Sequence, residues 1–377
     1  MKYYLIAGEA SGDLHGANLI RSLKALDGEA DFRFYGGDLM QRAGGTLVRH
    51  YKDTAVMGFV AVLANARKIL ANIKDCKKDI AEYRPDALVL IDYPGFNLKI
   101  ARFARKIPRL KIFYYIPPKI WAWKEGRAGQ INRYVDEVYG IFPFEPGFYR
   151  SHSCDKAVYV GNPCVQAVQG YRHGSKEAFI ERNGLERGKK IIAMLPGSRK
   201  QEVEQTINLF NKLYLKEFPD CQFVVAATGA VDPNLYSVLK DDFYLVFDET
   251  YELLSFSHAA LVNSGTATLE TALFKVPQVV CYPMRVPALL YRLARKLFLK
   301  IPYISLVNII CGSEAVTELV GPDLTPAAAT ECLHKTVYDT EYRRKISADY
   351  DTLSGILGTS VASDTAAGKI VRTLCCK

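Results

Sequence analysis

"IAGEASGDLHG", at residues 6–16, decides the fold of the first half of this 377-residue chain. It joins an apolar run at residues 3–7, which favours a buried strand, to a helical pattern from Ala17 to Leu26. A glycine-rich turn between strand and helix is where open α/β sheets commonly bind phosphate. Glu9 and Asp13 would repel a phosphate, however. Either the turn is not a nucleotide site, or its carboxylates serve another purpose.

Short apolar runs alternate with helical patterns along most of the chain, which is typical of a doubly wound parallel sheet. In the first half, the runs lie at residues 3–7, 31–36, 87–92, 111–116, 137–142 and 157–161. The alternation restarts with runs at residues 190–197, 222–228, 244–247, 259–265 and 277–282. The predicted fold class is therefore α/β, with two Rossmann-like domains that face a cleft.

The predicted domain borders follow from the pauses in this pattern. The first domain is expected at residues 1–165 and the second at residues 166–345, since no clear strand lies between residues 161 and 190. After about residue 315 the pattern is helical. A C-terminal helical segment at residues 346–377 is predicted to cross back and pack on the first domain.

Composition and charge narrow the class of protein. Hydrophobic residues make up 49% of the chain and charged residues 24%, which is ordinary for a globular protein and excludes disorder. The formal net charge of +9 suits a phosphorylated substrate, an anionic lipid surface or a nucleic acid. A nucleic-acid partner is not expected, because the chain has no helix-turn-helix or RNA-binding signature and its aromatic residues are not interleaved with Lys and Arg.

Cysteine usage and the N-terminal sequence indicate a compartment. The nine cysteines form no CxxC pair, and no His cluster has metal-ligand spacing, so we expect reduced thiols and no bound metal. The chain begins without the pattern of a signal peptide, and no apolar run approaches the ~18 residues of a membrane span. We therefore expect a cytoplasmic protein that is soluble or peripheral to a membrane.

Two strand-to-helix turns of the second half suit an anion. "LPGSR" (residues 195–199) offers backbone N–H groups and Arg199 at a helix start. "SGTATLE" (residues 264–270) has the same design, and Glu270 lies one turn deeper, where it could accept hydrogen bonds from ribose hydroxyls. The plainer interpretations are a turn with a surface arginine, and hydroxyl capping beside a solvated salt bridge. The candidate residues for a nucleotide diphosphate are Gly197, Ser198, Arg199, Ser264, Gly265, Thr266, Thr268 and Glu270.

The carboxylates of the first half suit a different task. "VLIDYPGFN" (residues 89–97) places Asp92 at the carboxyl end of an apolar strand, where open α/β sheets present ligand residues. Glu9 and Asp13 follow another strand. An acceptor hydroxyl needs a general base, whereas a departing diphosphate can be stabilised by amides and arginine. This division favours a glycosyl transfer, although capping of the next helix would also explain an aspartate in this position.

Seven motifs occur in the order and spacing of one family. They are "GEASGDLHGA", "IDYPGFN", "WAWKEGR", "PFEPGFY", "LPGSR", "SGTATLE" and "YISLVN". Over essentially its whole length the chain resembles lipid A disaccharide synthase. The resemblance implies a two-domain inverting glycosyltransferase of the B-type (GT-B) fold, without metal or cofactor. Such enzymes join UDP-activated diacylglucosamine to the primary hydroxyl of diacylglucosamine phosphate, and they release UDP.

The resemblance also implies roles for single residues. Asp92 is expected to be the general base, with Glu9 and Asp13 shaping the acceptor side of the cleft. The candidate residues for the nucleotide diphosphate would hold UDP. Asn308 in "YISLVN" matches a family position close to the cleft, although an Asn in a turn often only bonds its own backbone. The chain departs from the family at Asn162 and Gln166, so those positions receive no role.

Acylated substrates imply contact with a membrane. "RVPALLYRLARKLFLK" (residues 285–300) contains no acidic residue, and as a helix it would place cations beside apolar surface. The predicted membrane contacts are Leu289, Leu293, Arg292, Arg295 and Lys296. Residues 56–70 are a second candidate, and for both segments a core helix with a basic edge is the alternative. The resemblance implies a Gram-negative bacterium and the cytoplasmic face of its inner membrane, with a homodimer as one option.

Two other functions remain open on the sequence alone. A UDP-sugar epimerase of the same architecture, acting on a soluble sugar nucleotide, would also need the phosphate-binding turns. A lipid-binding protein without catalysis would need the basic apolar segments instead. Flotation with liposomes and release of UDP separate these alternatives from the transferase.

Overall fold

The computed structural model describes residues 1–54, 66–122, 125–284 and 302–376, which form two compact units. The first unit comprises Met1–Pro163 with Thr359–Lys377, and the second comprises Cys164–Gly358. The first border lies close to the predicted one at residue 165. The second border lies well beyond residue 346, where the C-terminal segment was predicted to begin.

The first unit is built on seven parallel strands. These are β1 (Lys2–Ala7), β2 (Asp31–Gly36), β3 (Thr46–His50), β4 (Ala87–Ile91), β5 (Lys111–Tyr115), β6 (Glu137–Gly140) and β7 (Ala157–Tyr159). Its helices are α1 (Ala10–Leu26), α2 (Asp38–Ala43), α3 (Tyr51–Thr54), α4 (Ala66–Tyr83), α5 (Pro94–Ala104), α6 (Arg127–Tyr134) and α7 (Glu145–Ser151). Strand β3 carries a mixed pattern of half-buried residues, and the sequence analysis did not predict it.

The strand order of this sheet is β3-β2-β1-β4-β5-β6-β7. Every residue of β4 is buried, because helices cover both faces of a parallel sheet. The chain runs outward in one direction from β1 to β3 and in the other from β4 to β7. The carboxyl ends of β1 and β4 therefore flank the point where the strand order reverses, which is where open α/β sheets bind ligands.

Helix α1 begins earlier than the sequence predicts. It starts at Ala10 and not at Ala17, so most of "IAGEASGDLHG" is helical. The glycines of this motif serve close packing in addition to the turn, since a Cβ added to Gly16 would lie 2.6 Å from the sulfur of Met40 in α2. A glycine in a helix costs about 1 kcal/mol relative to alanine, which the close approach of α2 offsets.

The second unit has six parallel strands. These are β8 (Lys190–Leu195), β9 (Cys221–Ala227), β10 (Phe243–Phe247), β11 (Ala259–Asn263), β12 (Gln278–Tyr282) and β13 (Thr317–Val320). Its helices are α8 (Pro163–Gly170), α9 (Lys176–Arg182), α10 (Lys200–Phe210), α11 (Thr250–Phe256), α12 (Thr266–Leu273), α13 (Leu306–Cys311), α14 (Pro326–Tyr338) and α15 (Thr340–Leu357). In the described part of this unit, short 3₁₀ helices span Leu215–Glu217, Pro233–Tyr236 and Gly321–Asp323.

The second sheet has the order β10-β9-β8-β11-β12-β13, which is the Rossmann order. The prediction of a purely helical chain beyond residue 315 is wrong at β13, a short strand that pairs with β12. The order of this sheet reverses between β8 and β11. The two turns predicted to bind phosphate follow β8 and β11, with one turn after each strand.

The last helix, α16 (Ala362–Cys375), belongs to the first unit, and the predicted crossing of the C-terminus is confirmed. Its Asp364 accepts a hydrogen bond of 2.7 Å from the hydroxyl of Ser22 in α1. The preceding α15 remains in the second unit, where the hydroxyl of Tyr350 donates to the carbonyl of Val276. The crossing therefore lies between Leu357 and Ala362, beyond the predicted start at residue 346.

Neither segment predicted to contact a membrane can be described in full. The segment at residues 285–300, with Leu289, Leu293, Arg292, Arg295 and Lys296, lies outside the described residues, as does most of the segment at residues 56–70. In the part of the chain that the structure describes, no helix has the length and apolarity to cross a bilayer.

Candidate active site

Glu9 and Asp92 lie together where the strand order of the first sheet reverses. Strands β1 and β4 are hydrogen-bonded neighbours, with Ala7 opposite Ile91. Asp92 directly follows Ile91, and Glu9 lies two residues beyond Ala7. Both carboxylates therefore project from the carboxyl edge of the sheet, and the negative charge of Glu9 acts on Asp92.

The backbone at Asp92 is strained and held by its neighbours. Asp92 and Tyr93 have φ angles of +43° and +46°, in the left-handed region that bulky side chains avoid. The carbonyl of Asp92 accepts a hydrogen bond of 2.8 Å from Nδ2 of Asn97 and one of 2.7 Å from the hydroxyl of Tyr114. Strain of this kind costs about 1–3 kcal/mol per residue and concentrates at functional sites. Asn97 and Tyr114 therefore hold the backbone of Asp92 in this conformation.

The pKa of Asp92 is raised above its ordinary value. Burial is the main cause, and the charge of Glu9 adds to it. The charge of Lys119 and the backbone N–H of Tyr93 oppose the rise. A half-buried carboxylate with a raised pKa is a stronger base than a solvated one, which suits removal of a proton from a hydroxyl group.

Asp13 has a different role from the predicted one. It lies within α1 and is only 3% exposed. Its carboxylate accepts backbone hydrogen bonds from Gly37 (2.8 Å), Leu39 (3.0 Å) and Met40 (3.0 Å) at the start of α2. These bonds satisfy N–H groups that have no partner within the helix. Asp13 therefore joins α2 to α1, and the prediction that it shapes a substrate surface is replaced by this structural role.

The turn after β8 approaches the end of β11 in the second unit. Gly197 has φ +103°, and a Cβ at this position would lie 2.9 Å from Nδ2 of Asn263. That amide nitrogen donates a hydrogen bond of 2.9 Å to the carbonyl of Pro196. Asn263, at the end of β11, thus connects the two turns predicted to bind phosphate. The sequence pattern did not indicate a role for Asn263, although this residue directly precedes "SGTATLE".

A carboxylate interacts with the groups expected to hold phosphate. Glu202 in the first turn of α10 accepts hydrogen bonds from the backbone N–H groups of Ser198 (3.3 Å) and Arg199 (3.2 Å). Its other oxygen accepts a bond of 2.8 Å from the guanidinium of Arg199. In this structure these donors bind the carboxylate of Glu202, and a phosphate would compete with that carboxylate for them. The Arg-x-x-Glu spacing at a helix start could have indicated Glu202 from the sequence.

The turn after β11 presents the start of α12. Gly265 and Thr266 are exposed, and Ser264 is half-buried. The first N–H groups of a helix have no partner within it, so this end can bind an anion. Thr268 is a correction to the predicted set, because it is fully buried and its hydroxyl donates a bond of 2.8 Å to the carbonyl of Gly265. Its hydroxyl therefore stabilises the helix end instead of contacting a ligand.

Glu270 lies in α12 beside an aromatic cluster. One of its carboxylate oxygens accepts a hydrogen bond of 2.7 Å from the hydroxyl of Tyr251, whose ring contacts Tyr171 and Phe274 edge-on. Burial raises the pKa of Glu270, and the bond from Tyr251 lowers it. Glu270 and Tyr251 together form a polar pair near the turns predicted to bind phosphate. No pattern in the sequence had indicated Tyr251.

The side-chain oxygen and nitrogen of Asn308 both have hydrogen-bond partners within the second unit. It is buried in α13, and its Oδ1 accepts backbone hydrogen bonds from Ala315 (2.9 Å) and Val316 (3.0 Å). Its Nδ2 donates to the carbonyl of Val316 and to the carboxylate of Glu318, both at 2.8 Å. Glu318 also accepts bonds from the backbone N–H groups of residues 304 and 305. Asn308 therefore holds the "YISLVN" segment to β13 from within a helix, not from a turn.

Two further motifs meet in the first unit. The indole of Trp121, in "WAWKEGR", donates a hydrogen bond of 3.2 Å to Glu145 of "PFEPGFY". Glu145 is fully buried and also accepts from the backbone N–H groups of Ile141 and Phe142. Burial raises its pKa to about 7, against these hydrogen bonds and the charge of Lys119. The hydrogen bond between Trp121 and Glu145 therefore gives both motifs a structural role, because it links segments that are separated in sequence.

No metal site is visible in the ranges given above. Among the described residues, no group of three or more His, Cys, Asp and Glu side chains is arranged to hold a metal ion.

Known proteins resemble this chain over its whole length. The LpxB family model, described as lipid-A-disaccharide synthetase, matches residues 3–366. A lipid-A-disaccharide synthase from Geobacter sulfurreducens is 34% identical, and the match covers 98% of this chain and 96% of the relative.

Solved structures of similar shape confirm the predicted GT-B fold. A UDP-GlcNAc 2-epimerase from Neisseria meningitidis, bound to UDP-GlcNAc, has a TM-score of 0.63 at 13% identity and covers 99% of this chain and 100% of its own. The calicheamicin glycosyltransferase CalG4 has a TM-score of 0.61 at 15% identity and covers 99% of this chain and 98% of its own. At such identities the likeness concerns the fold alone.

Proposed function

The chain belongs to the lipid-A-disaccharide synthetase family and is a glycosyltransferase, and on this premise we propose its substrates and the roles of its site residues. The donor is 2,3-diacylglucosamine activated with UDP. The acceptor is the primary hydroxyl of 2,3-diacylglucosamine 1-phosphate. The products are a β-1,6-linked disaccharide phosphate and UDP.

The acceptor reacts at the first unit, with Asp92 as the general base. The acceptor hydroxyl oxygen forms a bond to the anomeric carbon of the donor, and its proton passes to the Asp92 carboxylate. The bond from that carbon to the diphosphate oxygen breaks, and its electron pair leaves with UDP. Attack from the face opposite the leaving group inverts the anomeric centre. The observation that carries this assignment is the strained, half-buried Asp92 with its raised pKa.

The donor binds to the second unit. The backbone N–H groups of residues 198 and 199, the start of α12 and the guanidinium of Arg199 supply positive charge for the diphosphate. Binding requires Glu202 to give up its bonds to the first turn, because a phosphate needs the same donors. Glu270 accepts hydrogen bonds from the ribose hydroxyls. The close approach of the two turns through Asn263 supports a single diphosphate site.

The reaction takes place at the cytoplasmic face of the inner membrane, to which the enzyme binds peripherally. The acyl chains of both substrates place them in a bilayer. The net charge of +9 and the basic apolar pattern at residues 285–300 support attraction to an anionic surface. Flotation with vesicles that contain phosphatidylglycerol measures this binding, and neutral vesicles are the control. Equal recovery with both kinds of vesicle, or no recovery with either kind, would contradict binding to an anionic membrane.

The decisive experiment measures release of UDP from UDP-2,3-diacylglucosamine by the purified protein in the presence of EDTA. We expect release only when diacylglucosamine 1-phosphate is present, together with a disaccharide detected by mass spectrometry. Release without the acceptor would indicate hydrolysis. Absence of release from a folded protein that still binds UDP would contradict the transferase assignment and favour an epimerase or a binding protein.

A further inference from the structure

A cavity of about 730 Å³ opens between α4, α5 and α6 of the first unit. Its size is within the range of sites that bind small molecules. The residues of the structure that line it are Ile69, Tyr93, Pro94, Gly95, Phe96, Leu98, Lys99, Arg102, Arg127, Gln130 and Tyr134. None of the predicted site residues belongs to this set, although Tyr93 directly follows Asp92. The cavity is therefore a separate surface that begins beside the candidate base.

The lining combines apolar surface with positive charge. Ile69, Phe96 and Leu98 supply aliphatic and aromatic contacts, and the ring of Tyr93 stacks on Phe96 with centroids 5.4 Å apart. No acidic side chain is among the lining residues that the structure describes. A cavity lined by apolar side chains and by cations is complementary to a molecule with a hydrocarbon chain and an anionic group.

Three cations contribute the charge. Lys99 and Arg102 lie three residues apart on α5, so they occupy one face of that helix. Neither forms an ion pair with any described residue, and both side chains are exposed. Arg127 projects from the first turn of α6. Lysine and arginine together provide several N–H donors, and a phosphate group with its three oxygens can accept from more than one side chain at a time.

The cavity begins beside the candidate base. Tyr93 lines the cavity and directly follows Asp92 in the chain. The carbonyl of Asp92 is held by a hydrogen bond from the hydroxyl of Tyr114. A ligand in the cavity would therefore lie close to the carboxylate that is proposed to remove the acceptor proton.

We propose that this cavity binds the acceptor, with Lys99, Arg102 and Arg127 on its phosphate and with Ile69, Phe96 and Leu98 against an acyl chain. The identity of the acceptor rests on the proposed function. The cavity itself indicates a ligand that combines a hydrocarbon chain with an anionic group. The cations act as binding residues, and they select acceptors that carry a phosphate over acceptors that do not.

The test compares two acceptors and two kinds of variant. Lys99→Ala and Arg102→Ala each remove one cation from the cavity, and Lys106→Ala removes an exposed cation that does not line it. We expect each cavity variant to raise the KM for diacylglucosamine 1-phosphate about tenfold, as expected for loss of one charge-assisted hydrogen bond. The KM for the dephosphorylated acceptor and for the UDP-activated donor should not change. Lys106→Ala should match the parent protein, and Lys99→Arg should retain most of the affinity.

A binding experiment separates this proposal from the proposed function. Equilibrium dialysis with a short-chain diacylglucosamine 1-phosphate, without any donor, should show weaker binding to Lys99→Ala and Arg102→Ala than to Lys106→Ala. That result without UDP release would reject the transferase and keep the cavity assignment. Normal transfer with equal losses for both acceptors, or with none, would reject the cavity assignment and keep the transferase. Equal competition by phosphatidylglycerol would identify a general phospholipid site and also overturn the proposal.

Discussion

The two units place opposite chemistry at the same topological position. In the first sheet, the strand order reverses between β1 and β4, and the residues that follow are the carboxylates Glu9 and Asp92. In the second sheet, it reverses between β8 and β11, and the turns present backbone N–H groups and Arg199. The parallel sheet supplies the location in both cases. A few side chains after the strands decide whether that location presents carboxylates or groups that bind anions.

The same comparison shows that a charge at such a position can also serve the fold. Asp13 and Glu202 are both carboxylates in the first turn of the helix that follows a central strand. Asp13 binds the start of another helix and is buried, whereas Glu202 binds its own turn and remains partly exposed. These two carboxylates have similar sequence surroundings, but a ligand could displace only the partly exposed one, Glu202, from its hydrogen-bond donors.

The strongest test of the comparison removes the base of the first unit. Asp92→Asn keeps the size of the side chain but cannot take a proton, and we expect kcat to fall about 10³-fold. Affinity for UDP should be unchanged, because the groups proposed to bind UDP lie in the second unit. Steady-state UDP release and calorimetric titration with UDP measure both quantities. Asp155→Asn, at an exposed aspartate of the same unit, is the control. Turnover near that of the parent protein across pH would remove Asp92 from this role.

The second test alters the nucleotide turns. Arg199→Ala should weaken UDP binding about 30-fold, since a charge-assisted bond to phosphate contributes roughly 2 kcal/mol. Glu202→Gln should strengthen UDP binding a fewfold, because the competing negative charge is lost. Lys200→Ala, at the neighbouring exposed cation, should leave UDP binding unchanged. Titration calorimetry gives the three dissociation constants, and equal losses for Arg199→Ala and Lys200→Ala would indicate only general attraction.

The third test asks whether Asp13 is structural. Asp13→Asn replaces one carboxylate oxygen with an amide NH2 group, which cannot accept the hydrogen bond from the backbone N–H of Leu39 or its neighbours. We therefore expect the free energy of unfolding to fall by about 2 kcal/mol. The kcat of the folded fraction should remain within a fewfold of the parent value. Thermal unfolding and kcat measured on the same samples decide the matter. Unchanged stability with a large loss of kcat would restore the predicted role at the substrate surface.

The smallest expected effect concerns the pH profile. Both burial and Glu9 raise the pKa of Asp92, so Asp92 loses its proton, and activity rises, at a higher pH than for an ordinary aspartate. Glu9→Gln removes one of these causes. The acid limb of the kcat/KM profile should therefore move to lower pH. A limb that stays in place would mean that Glu9 does not act on the titrating group. Asp38→Asn is the control, because Asp38 is not among the charges that act on Asp92.

Much of the fold and part of the site could be predicted from the sequence. Alternation of apolar runs with helical patterns indicated two parallel sheets, because parallel strands are buried on both faces and need helical connections. Asp92 and the two turns of the second unit lie at the carboxyl ends of strands, as predicted, because the strand pattern directly indicates those positions. Their roles in catalysis and binding remain predictions. The start of α1 was misplaced, since glycines that permit close packing of Met40 resemble glycines of a turn.

The sequence by itself thus determined the repeating architecture and the edge at which each candidate side chain lies, because both depend on local periodicity. Only the tertiary structure decided which of those side chains remain available. Asp13 bonds to backbone groups 24 to 27 residues away, and Asn308 bonds to Glu318 on a neighbouring strand. Such partners meet through packing and not through spacing in the sequence. A buried polar group must find a partner wherever the fold supplies one, so its function follows from the assembled domain.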